Sequence, residues 1–145
     1  MARFNYVATT AYRLRAKYKD CSPIEIAPAE GIRLEKYDLG MLKGMYARIN
    51  DVPFIAISSL LDAKYAEIVC AHELGHHFLH GDGINGTFGE HSLWLRDSRP
   101  EYEANLFAAE LLIGDNEFLS CLEPGITCGE LAAILASGLA VDDLN

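Results

Sequence analysis

Between Tyr6 and Tyr18 the apolar positions Val7, Ala11, Leu14 and Tyr18 recur at helical spacing among polar residues, which predicts an amphipathic opening helix. Ser22-Pro23-Ile24-Glu25 then reads as a helix start. It offers a capping serine, a proline at the first helical position and a glutamate at the third. Pro28 keeps that helix short, and Gly31 suits its end. The period then shifts to that of strands at Ile32–Tyr37, Gly44–Ile49 and Phe54–Ser58, with Asn50-Asp51-Val52-Pro53 as a hairpin connection between the last two. A small antiparallel sheet is expected from this part of the chain.

Ser59, with Asp62 three residues on, offers a cap for a long helix from about Leu60 to His80, stopped by Gly81-Asp82-Gly83. Because that helix is apolar nearly all round, it is expected at the centre of the fold. The glycine-rich stretch after Gly83 leads into an expected edge strand at Ser92–Leu95. A helix is expected over Pro100–Ile113 and a last one from Gly129 to about Ser137. The class is therefore α+β: a small antiparallel sheet packed against a central helix and further helices, in a single domain spanning 1–145.

Composition narrows this picture. The 145 residues are 50% apolar, 10% aromatic and 23% charged, as in a globular chain, and no apolar run approaches the length of a membrane span. With no apolar leader at its start, the chain is expected to be soluble and cytoplasmic. Cys21, Cys70, Cys121 and Cys128 form no paired motif and are read as reduced, mostly buried thiols. The net charge of −9 is concentrated in residues 100–145, which hold nine acids and no Lys or Arg. That sign opposes direct nucleic-acid binding and suits a basic protein partner.

Explicit chemistry is concentrated in His72-Glu73-Leu74-Gly75-His76. Two histidines four apart on a helix project from one face, so their ring nitrogens can converge on one cation, as tetrahedral zinc requires. Glu73, one step round the helix, is placed to take a proton from water on that cation, and Gly75 is expected to keep one side of the helix open near it. A metzincin-type third ligand on the same chain segment would need glycine and histidine where Leu79 and Asp82 stand. The third ligand is instead sought in the later helix. There Glu101 shares a face with Ala104, Asn105, Ala108 and Leu112, whereas Glu103 falls toward the more polar side. Glu101 is the better ligand, since a buried acid is costly without a cation, and Asn105 is placed to hydrogen-bond a ligand from behind. His77 and His80 are expected to cap or line the helix end. His91, Arg96 and Tyr102 are candidates for stabilising an oxyanion.

The segments Ala71-His72-Glu73-Leu74-Gly75-His76 with Leu79-His80, and Glu101-Tyr102-Glu103-Ala104-Asn105 running into Phe107-Ala108-Ala109-Glu110-Leu111-Leu112, together resemble the ImmA/IrrE metallopeptidase family. The resemblance covers most of the chain. It departs at Ile113-Gly114, where the family often has Met-Pro after the two leucines. The likeness implies a zincin-like fold, Glu101 as third ligand beside His72 and His76, and Glu73 as general base. It further implies a phage or mobile-element protease that cleaves or inactivates a helix-turn-helix repressor. The alternative is a non-proteolytic binding module that neutralises such a repressor, or a toxin-antitoxin partner, by occlusion. Hydrolysis of a small amide ranks third.

Overall fold

The computed structural model describes residues 2–81, 86–87 and 99–113. Helix α1 (Ala2–Lys17) leads to α2 (Pro23–Ala29), then strands β1 (Arg33–Tyr37), β2 (Gly44–Ile49) and β3 (Val52–Ser58), helix α3 (Ala63–His80), the two-residue strand β4 (Gly86–Thr87) and helix α4 (Arg99–Leu112). The α+β class is as expected, with α3 at the centre, flanked by β2, β3, α2 and α4. Its residues Ile68–His76 are buried without interruption. Among the described residues no helix is long and apolar enough to cross a membrane. The expected strand at Ser92–Leu95 and helix from Gly129 lie outside the described residues.

Local chemistry sets most of the boundaries. Ser22 and Glu25 form the full capping box at the start of α2. At its end Ile32 N–H donates to Ala27 O and Gly31 N–H to Pro28 O, a Schellman arrangement that needs the positive φ of +79° at Gly31. Pro28 is tolerated within the last turn. The cap of α3 differs from expectation: Asp62, not Ser59, accepts from Tyr65 N–H at 2.9 Å, and the helix begins at Ala63. Ser58 Oγ accepts from Leu60 N–H, so residues 58–61 are already committed to the turn that leaves β3.

The sheet has the order β1-β3-β2-β4. The β2–β3 pair is the expected antiparallel hairpin, but β1 pairs with β3 in parallel, so the sheet is mixed. Burial explains the order. Strand β3 ends in four consecutive buried residues and takes the centre, while β1 (Arg-Leu-Glu-Lys-Tyr) has no buried position and stays on the edge. The hairpin loop is tighter than expected. Asn50 and Asp51 adopt φ of 52° and 65°, the left-handed pair of a two-residue turn, and β3 begins at Val52. Pro53 is accommodated because it opposes Arg48 in a position that donates nothing to β2, and the β1 ladder starts only at Phe54. On the other edge β4 pairs Thr87 with Ala47 and Gly86 with Arg48.

The core joins α1, α2, the sheet, α3 and α4 through Val7, Ile26, Ile55, Ile57, Leu74 and Phe107. Cys70 is buried as expected, whereas Cys21 is exposed in the α1–α2 turn. Gly75 decides how closely the two site helices approach. A Cβ there would stand 3.0 Å from Ala104 Cα, 3.2 Å from Ala104 O and 3.2 Å from Phe107 Cβ. The space expected beside the cation is thus filled by α4 itself. In Gly75→Ala the helices must separate, and overpacking should outweigh the roughly 1 kcal/mol gain in helix propensity, for a net loss of about 1 kcal/mol. Urea denaturation of the metal-free protein measures it; a more stable variant would contradict the close contact.

Candidate metal centre

Helix α3 brings His72 and His76 one turn apart, with ring centroids 4.8 Å from each other and planes at 84°. Across the Gly75–Ala104 contact α4 carries Glu101 between them. Its Oε1 lies 3.0 Å from His72 Nε2 and its Oε2 lies 2.9 Å from His76 Nε2. One nitrogen from each histidine and one oxygen of Glu101 fall within 4.8 Å of one another, and all three residues are buried. Two imidazole nitrogens and a carboxylate oxygen this close together are a donor set suited to a divalent transition metal.

The surroundings orient these groups. His72 Nδ1 is 2.9 Å from Asn105 Oδ1, the contact expected of Asn105. His76 Nδ1 is 3.2 Å from His80 Nδ1, and His80 Nε2 is 2.9 Å from Glu103 Oε1. Glu103 is buried, not on a polar side as expected. At 100° per residue, Ala104 lies between Glu101 and Glu103 on the helix wheel, so the two acids straddle the contact with α3 and both reach its histidines. His80 was visible as one more turn of the His72–His76 row; the burial of Glu103 depends on how the helices cross. His77 lines the helix end as expected, its Nδ1 2.9 Å from the Tyr46 hydroxyl.

Glu73, next to His72 on α3, has its carboxylate against the start of β2. Its Oε1 is buried with no hydrogen-bond partner among the described residues, and a Cβ at Gly44 in β2 would come within 3.3 Å of its Oε2 while overlapping Val69. Such a buried, unsatisfied carboxylate oxygen, on a residue within electrostatic reach of His72 and Glu101, suits an acceptor of a proton from water. Tyr102 is exposed at the start of α4, and His91 and Arg96 lie outside the described residues.

Electrostatics separates the two central carboxyls. Burial pushes Glu73 up to about 7, helped by the charge of Glu101 and opposed by His72. Burial would raise Glu101 too, but hydrogen bonds from His72 and His76 outweigh it and hold the group at about 2. Burial also lowers His76, to about 4, despite its bond to Glu101. For His72 the same burial is overcome by Glu101 and Glu73, which leave it above its usual value. At neutral pH Glu101 is therefore ionised and His76 neutral, the forms in which each ligates a cation.

The family model for the IrrE N-terminal-like domain matches residues 28–140 of this chain. The chain belongs to the ImmA/IrrE family. It is 34% identical over 113 residues to uncharacterized immunity region protein 2 of Bacillus phage phi105, covering 77% of this chain and 71% of the phage protein. It is also 34% identical over 114 residues to metallopeptidase ImmA of Bacillus subtilis strain 168, covering 75% of this chain and 65% of that protein. The ImmA match thus spans a little under two thirds of the longer relative. No solved structure gives a significant match. In this ImmA/IrrE chain His72, Glu73, His76 and Glu101 all lie within the matched span.

A carboxyl whose folded pKa exceeds its unfolded value binds its proton more tightly when folded, so its contribution to stability falls as pH rises. For Glu73 that window runs from 4.5 to about 7. Glu73→Gln removes this term. In the metal-free protein it should gain on wild type through that window, reaching a difference on the order of 3 kcal/mol at pH 8. Denaturant midpoints at pH 5 and pH 8 measure it, and a pH-independent difference would rule out the raised carboxyl.

Proposed function

We propose that this ImmA/IrrE chain is a zinc-dependent endopeptidase that cleaves or inactivates a helix-turn-helix repressor, of the kind carried by phages and mobile elements. The observation that carries this reading is Glu101 bridging His72 Nε2 and His76 Nε2, with the adjacent Glu73 buried and its Oε1 without a hydrogen-bond partner among the described residues. The names of the two relatives, a phage immunity-region protein and a metallopeptidase, support both the chemistry and the setting.

His72, His76 and Glu101 would hold the metal. When bound, zinc supplies a Lewis acid that polarises a scissile carbonyl and lowers the pKa of water toward roughly 7. The remaining work falls to the chain. Asn105 and His80 hold the imidazoles in place, and α4 packed against Gly75 keeps Glu101 aimed between them. Glu73 accepts a proton from the attacking water as its oxygen bonds to the carbonyl carbon. It then returns that proton to the amine nitrogen as the C–N bond breaks, leaving a carboxylate and an amine. A carboxyl raised to about 7 is suited to both transfers at neutral pH.

The acidic balance of residues 100–145 favours a basic partner surface and keeps a second reading in view, occlusion of the repressor without cleavage. Incubation with a candidate repressor separates the two: a protease yields defined fragments that a chelator suppresses, whereas a binder yields a stable complex with intact repressor. Glu73→Gln should retain zinc while cleavage falls by roughly 10²–10⁴-fold, the usual share of a general base. His76→Ala and Glu101→Ala should lose the metal, as read by elemental analysis. Full proteolysis by Glu73→Gln would remove that residue from the mechanism, and unchanged zinc in both ligand variants would refute the ligand set.

A further inference from the structure

Beyond the three ligands, a second buried carboxylate–histidine pair abuts the site. His80 and Glu103 are linked at 2.9 Å, with their side chains only 9% and 7% exposed, and His80 Nδ1 lies 3.2 Å from His76 Nδ1. We propose that His80 and Glu103 are positioning residues for His76, fixing the tautomer and ring orientation in which it offers Nε2 to a cation. This inference rests on the reading of His72, His76 and Glu101 as metal ligands.

The argument is one of donors and acceptors. A neutral histidine that ligates through Nε2 carries its remaining proton on Nδ1. With a cation on His76 Nε2 in place of the proton that Glu101 accepts there, the proton His76 keeps is on Nδ1, 3.2 Å from His80 Nδ1, and that nitrogen must then present a lone pair. The His80 proton is left on Nε2, where Glu103 Oε1 accepts it. A carboxylate can only accept, so Glu103 determines which nitrogen of His80 carries the proton, and His80 in turn determines which nitrogen of His76 does. Its counterpart is Asn105, whose Oδ1 performs the same service for His72 in a single step. Burying Glu103 would be unfavourable without such a partner.

Zinc affinity, measured by competition with a chromophoric chelator, tests the proposal in wild type, His80→Ala, Glu103→Ala, the double variant, His80→Asn and His76→Ala. Each single alanine variant should bind zinc roughly 10–100-fold more weakly than wild type. The double variant should be no weaker than His80→Ala, because Glu103 acts through His80. His80→Asn places an amide oxygen where the imidazole lone pair stood and should restore most of the affinity. In cobalt-loaded protein the visible ligand-field bands should shift in the alanine variants and return in His80→Asn. Wild-type affinity in His80→Ala, losses that multiply in the double variant, or a His80→Asn as weak as His80→Ala would each overturn it. If the alanine variants fail to fold, shown by loss of helical circular dichroism, the His80→Asn affinity alone decides. A wild type that binds no more zinc than His76→Ala defeats the ligand reading and this inference together; zinc lost in His76→Ala but kept in His80→Ala defeats the inference alone.

Discussion

The contact of Gly75 with Ala104 is the constraint on which the site depends. Two helices can approach this closely only where side chains are absent or small, and here the absent Cβ brings α4 near enough for one carboxylate to span two imidazoles on α3. Around that contact Phe78 and Phe107 stack at 6.0 Å between centroids, and Leu74 and Ala108 are fully buried, so the crossing is held by apolar packing on both sides. Against that packing stands an unfavourable term, since His72, His76, Glu101, Glu73 and Glu103 are all withdrawn from water in one small volume. Buried ionisable clusters of this kind gain little net stability from their mutual pairing, and a cation would relieve much of the penalty.

The sheet serves the site differently. Strands β2 and β3 form the floor beneath α3, and Gly44 at the start of β2 leaves room for Val69 and the Glu73 carboxylate. Glu73 therefore meets the sheet while His72 meets Glu101 of α4, so two adjacent residues on one helix have different environments. Glu101, hydrogen-bonded by two imidazoles, is held low; Glu73, buried without a partner for Oε1 among the described residues, is pushed high. One carboxyl is thereby suited to hold a cation and the other to carry a proton, a division of roles set by surroundings and not by residue type.

The meeting of His72, His76 and Glu101 was legible because its signals are local or periodic. His72 and His76 follow from helical spacing, and Glu101 from its place on an apolar face of α4. The capping box of α2, the hairpin and the extent of α4 likewise follow from short-range chemistry. Glu103 was misplaced because the wheel of α4 alone suggested a polar side, whereas α3 covers both flanks of Ala104. The cap of α3 moved from Ser59 to Asp62 because the turn out of β3 had already engaged Ser58 and Leu60.

By itself, then, the sequence determined the helices and the three longer strands among the described residues, the His72–His76 pair, the acid that meets it and the family, since each is encoded by residues a few positions apart or by a repeating face. Tertiary structure alone decided that β3 inserts between β1 and β2, that Gly75 admits α4, and that Glu73 turns to the sheet while Glu103 reaches His80. These depend on which buried surfaces compete for the same space, a contest among residues distant in the chain that no local pattern records.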